Sequence, residues 1–244
     1  MTYCVAIKTN TGMVFLSDTR TNAGVDNISK YKKMFTWEVP GDRVITLMTS
    51  GNLAITQAVV SLLQENIDKP QDGIDTLLNA ESMFRVAEIV GDAMRVIQTR
   101  YGTNLSQMGE STISSIIVGG QRIGGTMRLF HVYSAGNFIE AGEDTPYFQI
   151  GEHKYGKPIL DRVINIDSPV NVCVTAALLS MDSTLRSNLS VGMPLDLSVI
   201  AGDELRFSQI SRIEDNDPNY LALSEAWSGA LRNAFHDMFQ FTFT

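Results

Sequence analysis

Apolar and polar positions alternate from Thr2 to Thr9, break at Asn10-Thr11-Gly12 and resume from Met13 to Asp18, so a β-hairpin is expected from the second residue onward. Further strands are expected at Met34 to Val39 and at Arg43 to Thr49, the latter running into Ser50-Gly51-Asn52, where a helix can begin. The period then changes. One helix is expected from Leu53 to Ile67 and a second from Ala80 to Tyr101, in which Met83, Ala87, Val90, Met94 and Ile97 recur at helical spacing as one apolar stripe.

A second hairpin is expected from Ser111 to Val118 and Thr126 to Ser134, turning through the glycines between Gly119 and Gly125. Short strands at Asn137 to Glu140 and Tyr147 to Ile150 lead to a helix over Pro158 to Asn165. The next helix, Ser168 to Thr184, has a capping Ser followed by Pro in the first turn, and Val170, Val174, Leu178 and Met181 share a face. Strands at Leu195 to Ile200 and Leu205 to Ile213 precede a last helix from Pro218 to Phe235. This order is neither singly alternating β and α nor all-β, and it fits an α+β, four-layer αββα sandwich: two mainly antiparallel sheets face to face, each covered by a helical pair. The stretch from Gly102 to Gly109 and the acidic turn Glu214 to Asp217 read as ordinary connections, with no repeat or low-complexity linker.

With 244 residues, 44% of them hydrophobic and 19% charged, the chain can bury one large core, and residues 1–244 are read as a single domain. No segment approaches the roughly 20 uninterrupted apolar residues of a membrane span, and the first residues lack the basic start and apolar stretch of a secretory signal. A cytoplasmic protein without a membrane partner is expected. A net charge of -8 with 19 Lys and Arg argues against a nucleic-acid partner. Cys4 and Cys173 lie in apolar runs that suit reduced, buried thiols. His131, His153 and His236 are far apart, no Cys/His metal spacing exists, and neither a metal nor another cofactor is expected.

The hairpin carries the candidate chemistry. If its turn is centred on Asn10 and Thr11, pairing sets Thr2 across from Asp18 or Thr19. Met followed by a small residue is the context in which aminopeptidases remove the Met. A freed α-amine, with a reference pKa of roughly 7.7–8, is a base poised near neutrality. Thr2 would then combine nucleophile and base in one residue. A nearby ammonium would keep that amine unprotonated, and a carboxylate would orient the ammonium; Lys32-Lys33 and Asp18 supply both.

In these residues, MTYCVAIKTNTGMVFLSDTRTNAG followed by YKKMF and by Ser50-Gly51-Asn52, the sequence resembles the proteasome β-subunit family, and within it the bacterial proteasome-like branch called Anbu. The resemblance implies an N-terminal-nucleophile hydrolase fold. It assigns the nucleophile to Thr2, the catalytic carboxylate to Asp18 and the catalytic ammonium to Lys33, with Arg20 and Gly24 matching the supporting pattern. Gly51 takes the oxyanion-binding backbone N–H, with Ser50 as the alternative one residue away. Where the family has Gly-Ser-Gly this chain reads Gly151-Glu152-His153, so Glu152 replaces a hydroxyl near the amine. The family's Asp-x-x-Ser becomes Ser187 to Ser190, which keeps Ser190 and loses the Asp.

The implied function is a threonine-type peptidase or amide hydrolase subunit of a homo-oligomer, a ring or an open spiral, acting on peptide or amide substrates, with any ATPase partner left open. Two alternatives stand beside it: a catalytically weak or silent scaffold, and an acylase of small amides with the same nucleophile. Silent members carry an extra segment before the equivalent strand, and here only Met1 precedes Thr2, which favours the enzyme.

Overall fold

A computed structural model describes residues 2–22 and 28–238. In chain order its elements are β1 (Tyr3–Thr9), β2 (Gly12–Asp18), β3 (Arg20–Asn22), β4 (Ile28–Lys30), β5 (Met34–Val39), β6 (Arg43–Gly51), α1 (Leu53–Asp68), α2 (Met83–Gln107), β7 (Ser114–Arg122) and β8 (Arg128–Val132). They continue with β9 (Phe138–Glu140), β10 (Tyr147–Gly151), α3 (Lys157–Val163), α4 (Val170–Ser187), β11 (Leu195–Ala201), β12 (Gln209–Ile213) and α5 (Pro218–Asp237). One five-stranded antiparallel sheet has the order β10-β1-β2-β11-β12, the other β5-β6-β7-β8-β9, and β3 and β4 pair separately.

Strand periodicity sorts the apolar side chains into three layers. Tyr3, Val5, Ile7, Val14 and Leu16 leave the outer face of the first sheet and pack with Leu160, Cys173, Ala177 and Met181 of α3 and α4. Their neighbours Cys4, Ala6, Met13 and Phe15 face the other way and meet Met34, Met48, Ile117 and Leu129 of the second sheet. Ile45, Leu47, Ile116, Val118 and Phe130 form the far face of that sheet beneath the Met83–Ile97 stripe of α2 and Ile55 and Val59 of α1. The result is the αββα sandwich that the element order leads one to expect. Each Val, Leu, Ile, Phe or Met among them that is buried in full contributes about 1.5–3 kcal/mol.

Several local expectations change. Helix α2 runs on to Gln107, through the segment read as a connection, because Leu105 packs against the core cluster that α1 and α2 share and holds the last turns. Gly119 and Gly120 lie inside β7 opposite Thr46 and Ile45, not in the turn, which falls at Ile123 to Gly125 where Gly125 N donates to Arg122 O at 3.0 Å. Ser168 does not cap α4; its hydroxyl accepts from Asn165 N at 2.9 Å, and Pro169 stands at the cap position. The strand expected from Leu205 starts at Gln209, since Asp203 and Leu205 both take positive φ in the preceding turn. The small β3–β4 pair was not anticipated from its polar sequence.

Candidate active site

The β1–β2 hairpin pairs Thr9 with Gly12 and Cys4 with Ser17, a register that carries Tyr3 to Asp18 at the open end. Thr2 lies one residue before β1 and is 8% exposed. It shares the parity of Cys4 and Ala6, which face the second sheet, so its side chain belongs to the mouth between the two sheets. Asp18 ends β2, wholly buried, and its Oδ1 accepts the amide of Tyr3 at 3.0 Å.

Lys33 comes to the same oxygen from the second sheet. Its Nζ donates to Asp18 Oδ1 at 2.7 Å and to Arg20 O at 2.6 Å, while its own carbonyl accepts from Thr49 N at 3.0 Å, tying it to β6. Both side chains of this ion pair are almost fully buried. Lys32 is exposed, with its ammonium over the Phe35 ring, so the two lysines have separate surroundings. The other Asp18 oxygen accepts Gly192 N at 3.2 Å. Burial pushes the Asp18 carboxyl upward, and the Lys33 ammonium and the Tyr3 and Gly192 amides act against that push. Burial also raises the neighbouring Cys4 thiol, against the Lys33 charge, which keeps it a protonated core group that donates to Thr49 O.

A third strand closes the site. Gly151, at the end of β10, pairs with Tyr3 at φ +81, and a side chain there would collide with the Thr2 carbonyl and stand 3.1 Å from Ser50 Oγ. The amide of Glu152 donates to Thr2 O at 2.7 Å. Glu152 therefore does lie next to Thr2, but its carboxylate is engaged elsewhere: Oε1 accepts His153 N at 2.9 Å and Lys154 N at 3.0 Å, and Oε2 accepts Asn188 Nδ2 at 3.0 Å. Burial alone would raise this carboxyl, but the donors from Lys154, Asn188 and His153 outweigh it and hold it below its usual value.

Gly51 ends β6 opposite Ser114 with φ +101, and a Cβ there would strike the backbone of Ile113 and Ser114. Gly51 is exposed and Ser50 is buried. Ser190 sits on the loop after α4, where its amide donates to Asn188 Oδ1 at 2.9 Å; the hydrogen bonds of this loop to Asp18 come from Gly192 and not from Ser190. Arg20 belongs to the same junction, with Nη1 on Leu189 O at 2.9 Å. Gly24 and Met1 lie outside the described residues. Nothing in the sequence announces the parts played by Tyr3 N, Glu152 N and Gly192 N, because a backbone donor leaves no side-chain signature. Asn188 was within reach of sequence reading, as a polar residue inside the segment already set against the family pattern.

A buried ammonium–carboxylate pair at the N-terminal end of a hairpin, in the mouth of an αββα sandwich, defines the class. The family model described as proteasome subunit matches residues 2–200, and the chain belongs to that family. Within it the chain is similar to Anbu. An Anbu (Gly-1) mutant from Hyphomicrobium sp. strain MC1 superposes with a TM-score of 0.93 at 49% identity, covering 100% of both chains. Anbu, the ancestral beta-subunit, from Yersinia bercovieri gives 0.92 at 42% identity, covering 99% of this chain and 100% of that one. A helical assembly of the Anbu complex from Pseudomonas aeruginosa gives 0.92 at 42% identity, covering 98% of each. Among curated proteins nothing matches the chain.

Proposed function

We propose that this chain is a subunit of a self-assembling N-terminal threonine hydrolase that cleaves peptide or other amide bonds, with residues 1–244 acting as one unit. Removal of Met1 frees the Thr2 α-amine. The amine takes the Thr2 hydroxyl proton as Oγ1 attacks the substrate carbonyl carbon, the proton passes to the leaving nitrogen as the C–N bond breaks, and an acyl ester remains on Oγ1. Water, deprotonated by the same amine, then attacks the ester and releases the acid. Lys33 contributes a fixed positive charge that disfavours the ammonium form of Thr2, and Asp18 holds Lys33 in place. The Gly51 N–H, or its neighbour at Ser50, is the donor for the oxyanion; such a donor is worth about 2.7–4 kcal/mol in other hydrolases.

The observation that carries this reading is the shared Asp18 oxygen, which accepts both the buried Lys33 ammonium and the amide that follows Thr2. Labelling with a threonine-directed electrophile, read by mass spectrometry of the N-terminal peptide, tests it. The expected adduct lies on Thr2 of Met1-less chain and is missing from Thr2→Ala. A processed chain that takes no label returns the silent scaffold.

Similarity to an Anbu complex that forms a helical assembly supports head-to-tail contacts between copies of this chain, which close into a ring or rise as a spiral. No helix among the described residues is long and apolar enough to cross a membrane. A cytoplasmic site of action belongs to the same proposal, supported by two free, buried cysteines that suit a reducing compartment.

A further inference from the structure

Asp18 and Thr2 are joined a second time, by a path that runs outside the ion pair. Glu152 N holds the Thr2 carbonyl, the Glu152 carboxylate holds the Asn188 amide group, Asn188 Oδ1 holds Ser190 N, and two residues later Gly192 N holds Asp18 Oδ2. Thr19 N returns to Gly192 O at 3.4 Å, and Arg20 clamps Leu189 O. In this circuit the segment after β10 meets the loop after α4 through two side chains at the Glu152–Asn188 hydrogen bond. Glu152 is 9% exposed, and both of its carboxylate oxygens are engaged in this network.

We propose that Glu152 and Asn188 form a positioning bridge that fixes the Thr2 carbonyl, and with it the Thr2 hydroxyl and amine, over the Asp18–Lys33 pair. This rests on the reading of Thr2 as nucleophile. Glu152 is a positioning residue: its backbone touches Thr2, and its side chain sets where that backbone sits. A displacement of about 1 Å in such a group is enough to slow a reaction by about a hundredfold, and the residue sits where a one-atom change of side-chain chemistry can loosen the hold.

The polarity of the bridge makes it testable by exchange. In Glu152→Gln the new amide nitrogen meets the Asn188 Nδ2, donor against donor, and rotating Asn188 to cure this would set its nitrogen against Ser190 N–H. In Asn188→Asp two carboxylates meet. In the double variant the new amide at 152 donates to one oxygen of the new carboxylate at 188, and the other oxygen still accepts Ser190 N. Both single variants should label Thr2 at least about tenfold more slowly than wild type at an unchanged pH midpoint, and the double variant should recover to within about threefold. Amide exchange at Glu152 and Gly192 should be faster in both single variants and return to the wild-type rate in the double.

Single variants that label like wild type would overturn the bridge, as would a double variant no better than the worse single. A downward shift of the pH midpoint with an unchanged maximal rate would overturn it too, because Glu152 would then act through its charge. If wild-type chain lacking Met1 takes no label, the nucleophile reading fails on its own. The bridge is then decided by amide exchange: acceleration in the singles with recovery in the double supports it, and unchanged exchange sinks it.

Discussion

The amide of Tyr3 donates to Asp18 Oδ1 at 3.0 Å, and Lys33 Nζ donates to the same oxygen at 2.7 Å. A single buried atom therefore fixes both the backbone that follows Thr2 and the cation that comes from the other sheet. The αββα sandwich makes this possible, since the hairpin brings Thr2 and Asp18 together within one sheet while Lys33 enters at the start of β5 in the other.

Breaking that pair should cost stability as well as chemistry. Lys33→Met leaves the Asp18 carboxylate buried without its ammonium, an expected loss of about 3–5 kcal/mol, whereas Asp18→Asn combined with Lys33→Met should cost clearly less than the sum of the two singles. Urea denaturation of the three variants checks this. Labelling of Thr2 should fall in each, and the losses should not add fully, because the proposed mechanism uses the three residues as a unit.

Gly151→Ala tests the other side of Thr2. The residue adopts φ +81, where a side chain is strained by about 1–3 kcal/mol, and its Cβ would collide with the Thr2 carbonyl. The expected result is a lower denaturation midpoint together with a loss of labelling larger than the lost stability explains. A variant as active as wild type would show that the Thr2 carbonyl does not need its present place.

The layers were legible because periodicity is a property of many residues at once. Met83, Ala87, Val90, Met94 and Ile97 predicted a buried stripe, and all five are core. Gly119-Gly120 misled because glycine reads as a turn in isolation, while here, inside β7, the missing side chain of Gly119 leaves room for Leu129 and Met13 and that of Gly120 for the backbone of Val44. At the site, Thr2, Asp18 and Lys33 stood out by order and spacing, and the structure brings the latter two into contact. Glu152 was read as a charge near the amine. Its carboxylate also meets Asn188, a contact between residues 36 positions apart that no local pattern encodes. Ser190 enters through its backbone N–H, on Asn188 Oδ1, while the contacts to Glu152 and Asp18 come from Asn188 and Gly192.

The proposed amine base sets a pH dependence. Above its pKa the Thr2 amine is neutral and competent; the Lys33 charge opposes its protonation, so labelling should rise with a midpoint below the reference value of about 7.7–8. Single-turnover labelling across pH measures it. A midpoint above the reference value would count against a nearby Lys33.

The proposed assembly rests on similarity to an Anbu complex that forms a helical assembly. Head-to-tail contacts repeated by every copy must yield a closed ring or an open spiral. Light scattering on size-exclusion fractions should show a mass many times that of the 26.9 kDa chain at micromolar concentration. A monomer that persists there would contradict the oligomeric reading.

His131 gives the stability of the sandwich its own pH dependence. It lies on β8 opposite Ile117, on the face turned toward the first sheet, with its ring 4.4 Å from Tyr133 and 5.7 Å from Phe148 between centroids. Its Nε2 is buried and has no hydrogen-bond partner among the described residues, and burial lowers its pKa from the ordinary 6.5. A base depressed in the folded state binds its proton first in the unfolded chain. Its contribution to stability is complete above about 6.5 and is lost as pH falls from there through the folded value. The urea midpoint of wild type should therefore drop between about pH 7.5 and 5 relative to that of His131→Phe, which keeps a ring against Tyr133 and Phe148 but has nothing to protonate. Parallel midpoints across that range would mean that His131 is protonated as readily in the fold as out of it.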